Sequence, residues 1–489
     1  MMLLSDLMES QAIKVLAGDA AASVEGIAYD SRQVKSGDVF VALASKSNNG
    51  HGYIQDAYSR GARVFVVEHW PDLDLGEVTV IAVPDTRLAL ALMSQRFFDF
   101  PDRKLTVVAL TGTKGKTTIS FMVKAICEAA GKRVGLIGSN GVFYGETYFK
   151  LPNTTPESFE LNRIMADMVE AGVEILVVEA TSQGFMMRRT DGIRFDIGVY
   201  TNIAPDHISA TEHDSFEEYF NCKKRIFAQS EVCLVDFDTF FTQIMEDVSC
   251  PILTYGFSTE ADYQATNVHP SQDDSVLGTH FVCRTPQFTQ EFCIHIPGHF
   301  NVSNAMAAIG IAVQLGLDPG SIASGLLATR VPGRVELVDV PAPYTVLIDF
   351  AHNGLSLEAL IDAVKAYHPR RVLSVFGLEG NRAHIRRTDC GKILGAEVDY
   401  TILADASPRF DDPDQILTDI ASGIEQGGGQ GRYEIIRDRR TAIPALLSMA
   451  EEGDVVLLIG KGSVLYEEVQ GVNHPIDERD IVKEYFARA

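Results

Sequence analysis

Thr111-Gly112-Thr113-Lys114-Gly115-Lys116-Thr117-Thr118 combines glycines, a lysine and hydroxyls in the order that a polyphosphate needs. A glycine-rich turn aims backbone N–H groups at the anion, Lys116 reaches the terminal phosphates, and the Thr117 hydroxyl ligates magnesium. Leu110 stands where the longer phosphate-loop pattern has its first glycine, so the reading leans on what flanks the loop. An apolar run, Leu105 to Leu110, delivers the chain to it, and a helical segment, Ile119 to Ala130, leaves with its positive end facing the same anion. Glu179 closes another apolar run, Ile175-Leu176-Val177-Val178, where a carboxylate would meet the loop's magnesium. His207, in Asn202-Ile203-Ala204-Pro205-Asp206-His207, follows the next apolar run and is a second candidate ligand. Taken alone, a strand-end glutamate is about as often merely solvated.

The elements that must position these groups are those of an α/β protein in three domains. Residues 1–103 read as a small N-terminal α/β domain, with strands at Val39 to Leu43, Val64 to Val67 and Val78 to Val83 and a helix at His51 to Arg60. The polar stretch Tyr29-Asp30-Ser31-Arg32 before Gly37-Asp38 reads by itself as a surface loop. Residues 104–333 alternate strands and helices as a doubly wound, P-loop ATPase-type domain, with strands at Leu105 to Leu110, Val134 to Ile137, Ile175 to Glu179, Ile197 to Thr201 and Val232 to Asp236. After Pro297-Gly298, an Ala-rich helix running to about Leu315 sets Asn301 and Asn304 one turn apart, able to face one ligand.

Beyond Pro332-Gly333-Arg334, residues 334–489 form a third, Rossmann-like α/β pattern, with strands at Thr345 to Phe350, Val372 to Phe376, Tyr400 to Leu403 and Val455 to Ile459. Its strand ends carry Asp349 and His352, then Gly380-Asn381-Arg382 with Arg386 and Arg387, then Ser407-Pro408-Arg409, then Gly460-Lys461-Gly462. Polar, mostly basic clusters at successive strand ends describe a ligand-binding edge. Gln426 to Gly431 reads as a flexible turn only.

With 489 residues the chain exceeds one core. A formal charge of -24 argues against a nucleic-acid surface, so an anionic ligand needs locally concentrated basic groups. No apolar run approaches a membrane span and the N-terminus does not look like a secretory signal, so the protein is expected in the cytoplasm, without a membrane partner. Seven scattered cysteines without Cys-x-x-Cys spacing suggest neither a disulfide framework nor a zinc site.

In order and spacing, these segments resemble the Mur ligase family of ATP-dependent amide-bond-forming enzymes over nearly the whole chain. The resemblance is carried by Asp30-Ser31-Arg32 with Gly37-Asp38, the phosphate loop, Asn153-Thr154-Thr155-Pro156, and Glu179 with Thr181-Ser182-Gln183-Gly184. It continues through Asn202 with His207, Tyr219 with Lys223, Gly298 with Asn301 and Asn304, and Asp349-Phe350-Ala351-His352. Within the family the motifs are most similar to those of enzymes adding the third residue of the peptidoglycan peptide. The resemblance implies a monomer that joins meso-diaminopimelate or another diamino acid to UDP-N-acetylmuramoyl-L-alanyl-D-glutamate through an acyl phosphate. The three domains would then bind the UDP substrate, ATP and the amino acid in turn.

Residue by residue, the resemblance implies that Ser31 holds the uridine end, while Asn153, Thr154, Thr155, Ser182 and Arg189 hold the muramoyl dipeptide. Gly112, Thr113, Lys114, Gly115, Lys116, Thr117 and Thr118 would cradle ATP, with Asn304 at the adenine, Asp349 near the ribose, and Arg334 and His352 beside them. Magnesium would be held by Thr117, Glu179, His207 and Lys223. Lys223 matches the family's carbamylated lysine, a modification that turns an amine into hard anionic oxygens; without that match it would read as one more solvated lysine beside Lys224 and Arg225. Lys116, Lys223 and His207 would be catalytic, and Arg382, Ser407, Arg409 and Gly460 would contact the amino acid.

The pattern departs from the family chiefly in the third domain. Where diaminopimelate-adding enzymes carry Asp-Asn-Pro-Arg, this chain has Ala406-Ser407-Pro408-Arg409, and the usual Gly-Lys-Gly-His-Glu is Gly460-Lys461-Gly462-Ser463-Val464. Arg409 keeps a guanidinium fork for a side-chain carboxylate, whereas Val464 cannot pair a distal ammonium. Lys114 also replaces an asparagine of the loop, and Gln183 a histidine. Two alternatives stay open: a paralogue ligating a different acyl substrate, and a non-catalytic nucleotide-binding paralogue.

Overall fold

The computed structural model describes residues 2–9, 11–44, 49–71, 73–204, 213–239, 245, 248–271, 277–382 and 384–488. The chain divides into two compact units, Met1–Gln264 with Met306–Gly325, and Ala265–Ala305 with Leu326–Ala489. Each of the three α/β stretches has its own sheet.

In the first unit, the phosphate-loop strand Thr106–Thr111 lies between Ile175–Glu179 and Phe195–Tyr200, parallel to both. Val134–Gly138 lies beyond Ile175–Glu179, while Ser230–Asp236 and then Ile252–Gly256 lie beyond Phe195–Tyr200. The two strands that follow Thr106–Thr111 in this parallel array therefore go to one side of it and the later ones to the other. Such a switch point opens a crevice at the carboxyl ends of the strands, where the loop begins. Val107, Val108, Ala109 and Leu110 are all 0% exposed, which is why the strand reads as a continuous apolar run. The helix after the loop is Lys116–Ala129, starting earlier than Ile119 because Lys116, Thr117 and Thr118 form its first turn.

The N-terminal sheet runs in the order Lys14–Ala17, Thr79–Ala82, Val64–Val67, Asp38–Val41, Gly26–Ala28. Separate apolar clusters pack around it, one built on Val39, Val41, Val66 and Ile81, the other on Phe40, Phe65, Val67 and Val80. The stretch expected as a loop contains a short 3-10 turn, Ser31–Gln33, capped by the Asp30 carboxylate, which accepts from the Arg32 N–H.

The second unit's six-stranded sheet runs Glu336–Val338, Thr345–Asp349, Val455–Ile459, Val372–Phe376, Tyr400–Leu403, Tyr433–Ile435. All neighbours are parallel except the Glu336–Val338 edge. Two of its helices, Ile385–Glu397 and Pro413–Gln426, meet backbone to backbone through glycines. A Cβ on Gly391 would stand 2.2 Å from the Ile420 carbonyl oxygen, and one on Gly427 2.2 Å from that of Lys392. The expectation that residues 426–431 are only a flexible turn is thereby corrected, since Gly427 belongs to this helix contact. Among the described residues, no helix is long and apolar enough to cross a membrane.

Candidate active site

The loop is folded back on the strand beside it. Gly112 has φ 134°, and a Cβ there would lie 1.9 Å from the Thr201 hydroxyl oxygen, so only glycine fits. Thr201 Oγ1 donates to the Lys114 carbonyl at 2.6 Å. Asn202 accepts from the Lys114 N–H at 2.9 Å and donates to the same carbonyl at 3.1 Å. Thr113 is buried, its N–H bonded to the Asn202 carbonyl at 3.0 Å and its hydroxyl 3.0 Å from that of Tyr219. Gly115, at φ 90°, opens the helix, and Thr117 and Thr118 in its first turn are both 7% exposed.

Two lysines far apart in sequence meet on one carbonyl of this loop. Lys116 Nζ donates to the Gly112 oxygen at 2.7 Å and to that of Thr113 at 3.2 Å. Lys223 Nζ donates to the same Gly112 oxygen at 2.8 Å, and its ammonium lies 4.6 Å from the centre of the Tyr219 ring. Lys223 sits on the helix Phe216–Gln229, whose N-terminus Ser215 caps by accepting from the Glu218 N–H. At 2% exposure it is no solvated surface lysine.

The parallel register puts Glu179 opposite Leu110, one residue before the loop. Its carboxylate is fully buried and accepts from the Ser139 N–H at 3.1 Å and the Ser139 hydroxyl at 2.9 Å. Among the described residues no basic side chain pairs with it. A buried carboxylate held only by an amide and a hydroxyl, together with the Thr117 hydroxyl, suits a hard divalent cation. Lys223 as an amine is a donor and does not suit one; the carbamate would. His207 lies outside the described residues.

Around Glu179 the residues expected at the dipeptide form a bonded set. The Ser139 hydroxyl is 3.1 Å from that of Thr154. Thr155, fully buried, donates to the Glu179 carbonyl at 2.8 Å and takes the Thr181 N–H at 3.0 Å. Ser182 Oγ lies 2.9 Å from His213 Nε2. Arg189 donates to Glu157 at 2.7 Å and to the Thr155 carbonyl at 3.0 Å, and Arg87 reaches the other Glu157 oxygen at 3.1 Å. Asn153 is exposed beside them. Ser31 is buried in the N-terminal part, bonded to the Asp56 carboxylate, which it holds below its ordinary pKa range. Sequence reasoning missed Ser139, His213 and Glu157. Ser139 follows the strand Val134–Gly138, so the strand-end rule that found Glu179 also reaches it.

In the second unit, Asn301 lies inside the helix His299–Gln314 and not at its cap, and Asn304 donates to its side-chain oxygen at 3.1 Å. Asp349 accepts from the N–H groups of Val335 and Ala351, both at 2.7 Å. Burial pushes its carboxyl above the usual range, with Arg334 and those N–H groups opposing. The Arg334 guanidinium lies 4.7 Å from the centre of the Phe350 ring, and the His352 ring 4.9 Å from the same ring. Gly460, at φ 106°, donates its N–H to the Asp349 carbonyl. Ser407 takes the Glu468 N–H on its hydroxyl at 3.1 Å. Arg382 and Arg409 both reach Glu379 Oε2, at 3.4 and 3.0 Å.

Three family models match the chain: "Mur ligase family, catalytic domain" over residues 23–98, "Mur ligase middle domain" over 110–312, and "Mur ligase, glutamate ligase domain" over 333–462. The chain is 34% identical to "UDP-N-acetylmuramoyl-L-alanyl-D-glutamate--2,6-diaminopimelate ligase" of Clostridium perfringens, over 98% of this chain and 99% of that protein. It is 35% identical to the protein of the same name from Geobacter metallireducens, over 96% and 95%. A solved structure of a protein of that name superposes with TM-score 0.71 at 26% identity, covering 100% of this chain and 99% of the other.

Proposed function

We propose, since this chain belongs to the Mur ligase family, that it joins an amino acid to the D-glutamyl carboxylate of UDP-N-acetylmuramoyl-L-alanyl-D-glutamate at the expense of ATP, in peptidoglycan synthesis. The observation that carries the reading is the convergence of Lys116 and Lys223 on the Gly112 carbonyl, at 2.7 and 2.8 Å, in a loop whose helix starts with Thr117. Lys116 is a cation at that turn and suits a polyphosphate and a charge that moves between its groups, and Lys223 brings to the same turn an amine that can serve as a carbamate.

A carboxylate is a poor electrophile towards an amine. Its oxygen attacks the γ-phosphorus of ATP, the bond to ADP breaks, and the resulting acyl phosphate is attacked by the incoming amine, which expels phosphate and loses a proton. Lys116 offsets charge on the transferring phosphoryl group, and the loop's N–H groups position it. Thr117, Glu179 and His207 would hold magnesium, which would supply further charge neutralisation. Lys223 joins that set as a carbamate, formed when its neutral amine adds to the carbon of carbon dioxide and one proton leaves. Unchanged phosphate release by a Lys223→Ala chain would sink that role.

Ser31 holds the uridine end; Asn153, Thr154, Thr155, Ser182 and Arg189 hold the dipeptide; Asn304, Arg334, Asp349 and His352 serve the nucleoside of ATP. Arg382, Ser407, Arg409 and Gly460 serve the amino acid. The working division is 1–103 for the UDP substrate, 104–333 for ATP and 334–489 for the amino acid, in a cytoplasmic monomer. The deciding experiment measures phosphate release from ATP with the muramoyl dipeptide across meso-diaminopimelate, lysine, ornithine and smaller amino acids. Turnover with at least one is the expected result; silence with all of them, alongside release with another acyl acid, would move the chain to the paralogue reading.

A further inference from the structure

Arg409 carries the guanidinium that would grip a second carboxylate on the incoming amino acid, and in this chain that guanidinium is already engaged. Its NH2 donates to Glu379 Oε2 at 3.0 Å, and its Nε lies 3.3 Å from Glu468 Oε2 as an ion pair without a hydrogen bond. The three side chains are 25%, 18% and 26% exposed, so the cluster is only partly screened by water. Its geometry is built into the backbone. The Arg409 N–H donates to the Glu468 carbonyl at 2.9 Å, and its own carbonyl accepts from the Gln470 N–H at 2.8 Å. These bonds hold Arg409 at φ 55°, a left-handed conformation that arginine seldom adopts. Glu379 is fixed from its own side, because Gly380 donates its N–H to the Ser407 carbonyl at 2.9 Å, and a Cβ on Gly380 would meet the Pro408 oxygen at 1.9 Å. Arg382, half exposed, reaches Glu379 from 3.4 Å and leaves both contacts of Arg409 in place.

We propose that Glu379 and Glu468 fill the carboxylate-binding place on Arg409, so that the amino-acid site selects against a second carboxylate and takes a side chain ending in an amine alone. The proposal rests on the ligase reading above and names its amino-acid class. An entering carboxylate has to displace one of two fixed glutamates or stand beside both, and like charges so placed are rejected. An ammonium meets the same two glutamates as partners. Val464 adds no charge of its own at the position where the family pattern has an acid.

The test compares kcat/KM for lysine, ornithine and meso-diaminopimelate, by phosphate release, in the wild-type protein and in Glu379→Gln and Glu468→Gln, singly and together. In the wild type, lysine or ornithine is expected to exceed meso-diaminopimelate by roughly tenfold or more. In the double variant, whose amides keep the shape and remove the charge, that ratio is expected to collapse towards unity, chiefly through a lower KM for meso-diaminopimelate. A wild-type preference for meso-diaminopimelate overturns the proposal, and so does a ratio that the glutamines leave unmoved. Should the double variant fail to fold, the wild-type ratio and the single variants decide. Silence with every amino acid removes the ligase reading itself, an outcome distinct from a reversed preference.

Discussion

Lys461 is buried at 2% exposure, with its amine donating to the Ala406 carbonyl at 2.9 Å and that of Tyr466 at 2.6 Å. Burial, and after it the charge of Arg439, bring its pKa down from 10.5 to about 8. Below pH 8 the folded and unfolded chains both hold the proton, and the folded one bears the full penalty of a buried cation. Between pH 8 and 10.5 the unfolded chain binds a proton that the folded chain has released, so stability rises with pH through that window. The total is roughly 3 kcal/mol at 1.36 kcal/mol per unit. Buried thiols such as Cys127 and Cys283, which burial pushes up to about 12, act in the opposite direction, but equally in a variant. The difference in urea midpoint stability between wild type and Lys461→Met is therefore expected to grow in favour of wild type from pH 7.5 to pH 10. A flat difference would show that Lys461 titrates normally in the fold.

At the scale of elements, Gly391 sets two effects of opposite sign against each other. Alanine in a helix is favoured over glycine by about 1 kcal/mol. The added Cβ would stand 2.2 Å from the Ile420 carbonyl oxygen, a backbone atom that cannot swing away, and 2.8 Å from the Gly423 Cα. Overpacking costs about 1–3 kcal/mol even where side chains can yield, so Gly391→Ala is expected to lower stability, read as a lower denaturant midpoint with unchanged m. This contact was not legible beforehand, because glycine carries no apolar signal and the sequence shows only that glycines recur. Buried strands were legible for the converse reason. Val64–Val67, Ile175–Glu179, Val372–Phe376, Tyr400–Leu403 and Val455–Ile459 have the bounds expected from their apolar runs. The edge strand Lys14–Ala17, exposed along its length, and the hairpin Tyr466–Val469 with Val472–Pro475 were not. An edge gains from backbone pairing more than from burial, so its composition says little. For the site, strand ends pointed to Glu179, while the engagement of Arg409 with Glu379 and Glu468 needed the backbone pairing of a hairpin that composition does not announce.

For the molecule as a whole, the proposed chemistry separates by unit: the loop with Lys116 lies in the first, and Arg409 with its glutamates in the second. If acyl phosphate forms before the amine attacks, the first half of the reaction needs no amino acid. Hydroxylamine intercepts an acyl phosphate as a stable hydroxamate, which allows that half to be measured alone. Wild-type protein given ATP, magnesium, the muramoyl dipeptide and hydroxylamine is expected to yield hydroxamate. Lys116→Ala removes charge where it develops, and is expected to lower both hydroxamate and amide formation by on the order of 10²–10³. Arg409→Ala leaves Glu379 and Glu468 without their shared cation and free for the ammonium of the amino acid, and is expected to spare hydroxamate formation while shifting the KM for the amino acid. Loss of hydroxamate in Arg409→Ala would mean that this arginine acts on the phosphoryl step, and the assignment of amino-acid choice to the Ser407-Pro408-Arg409 edge would fall with it.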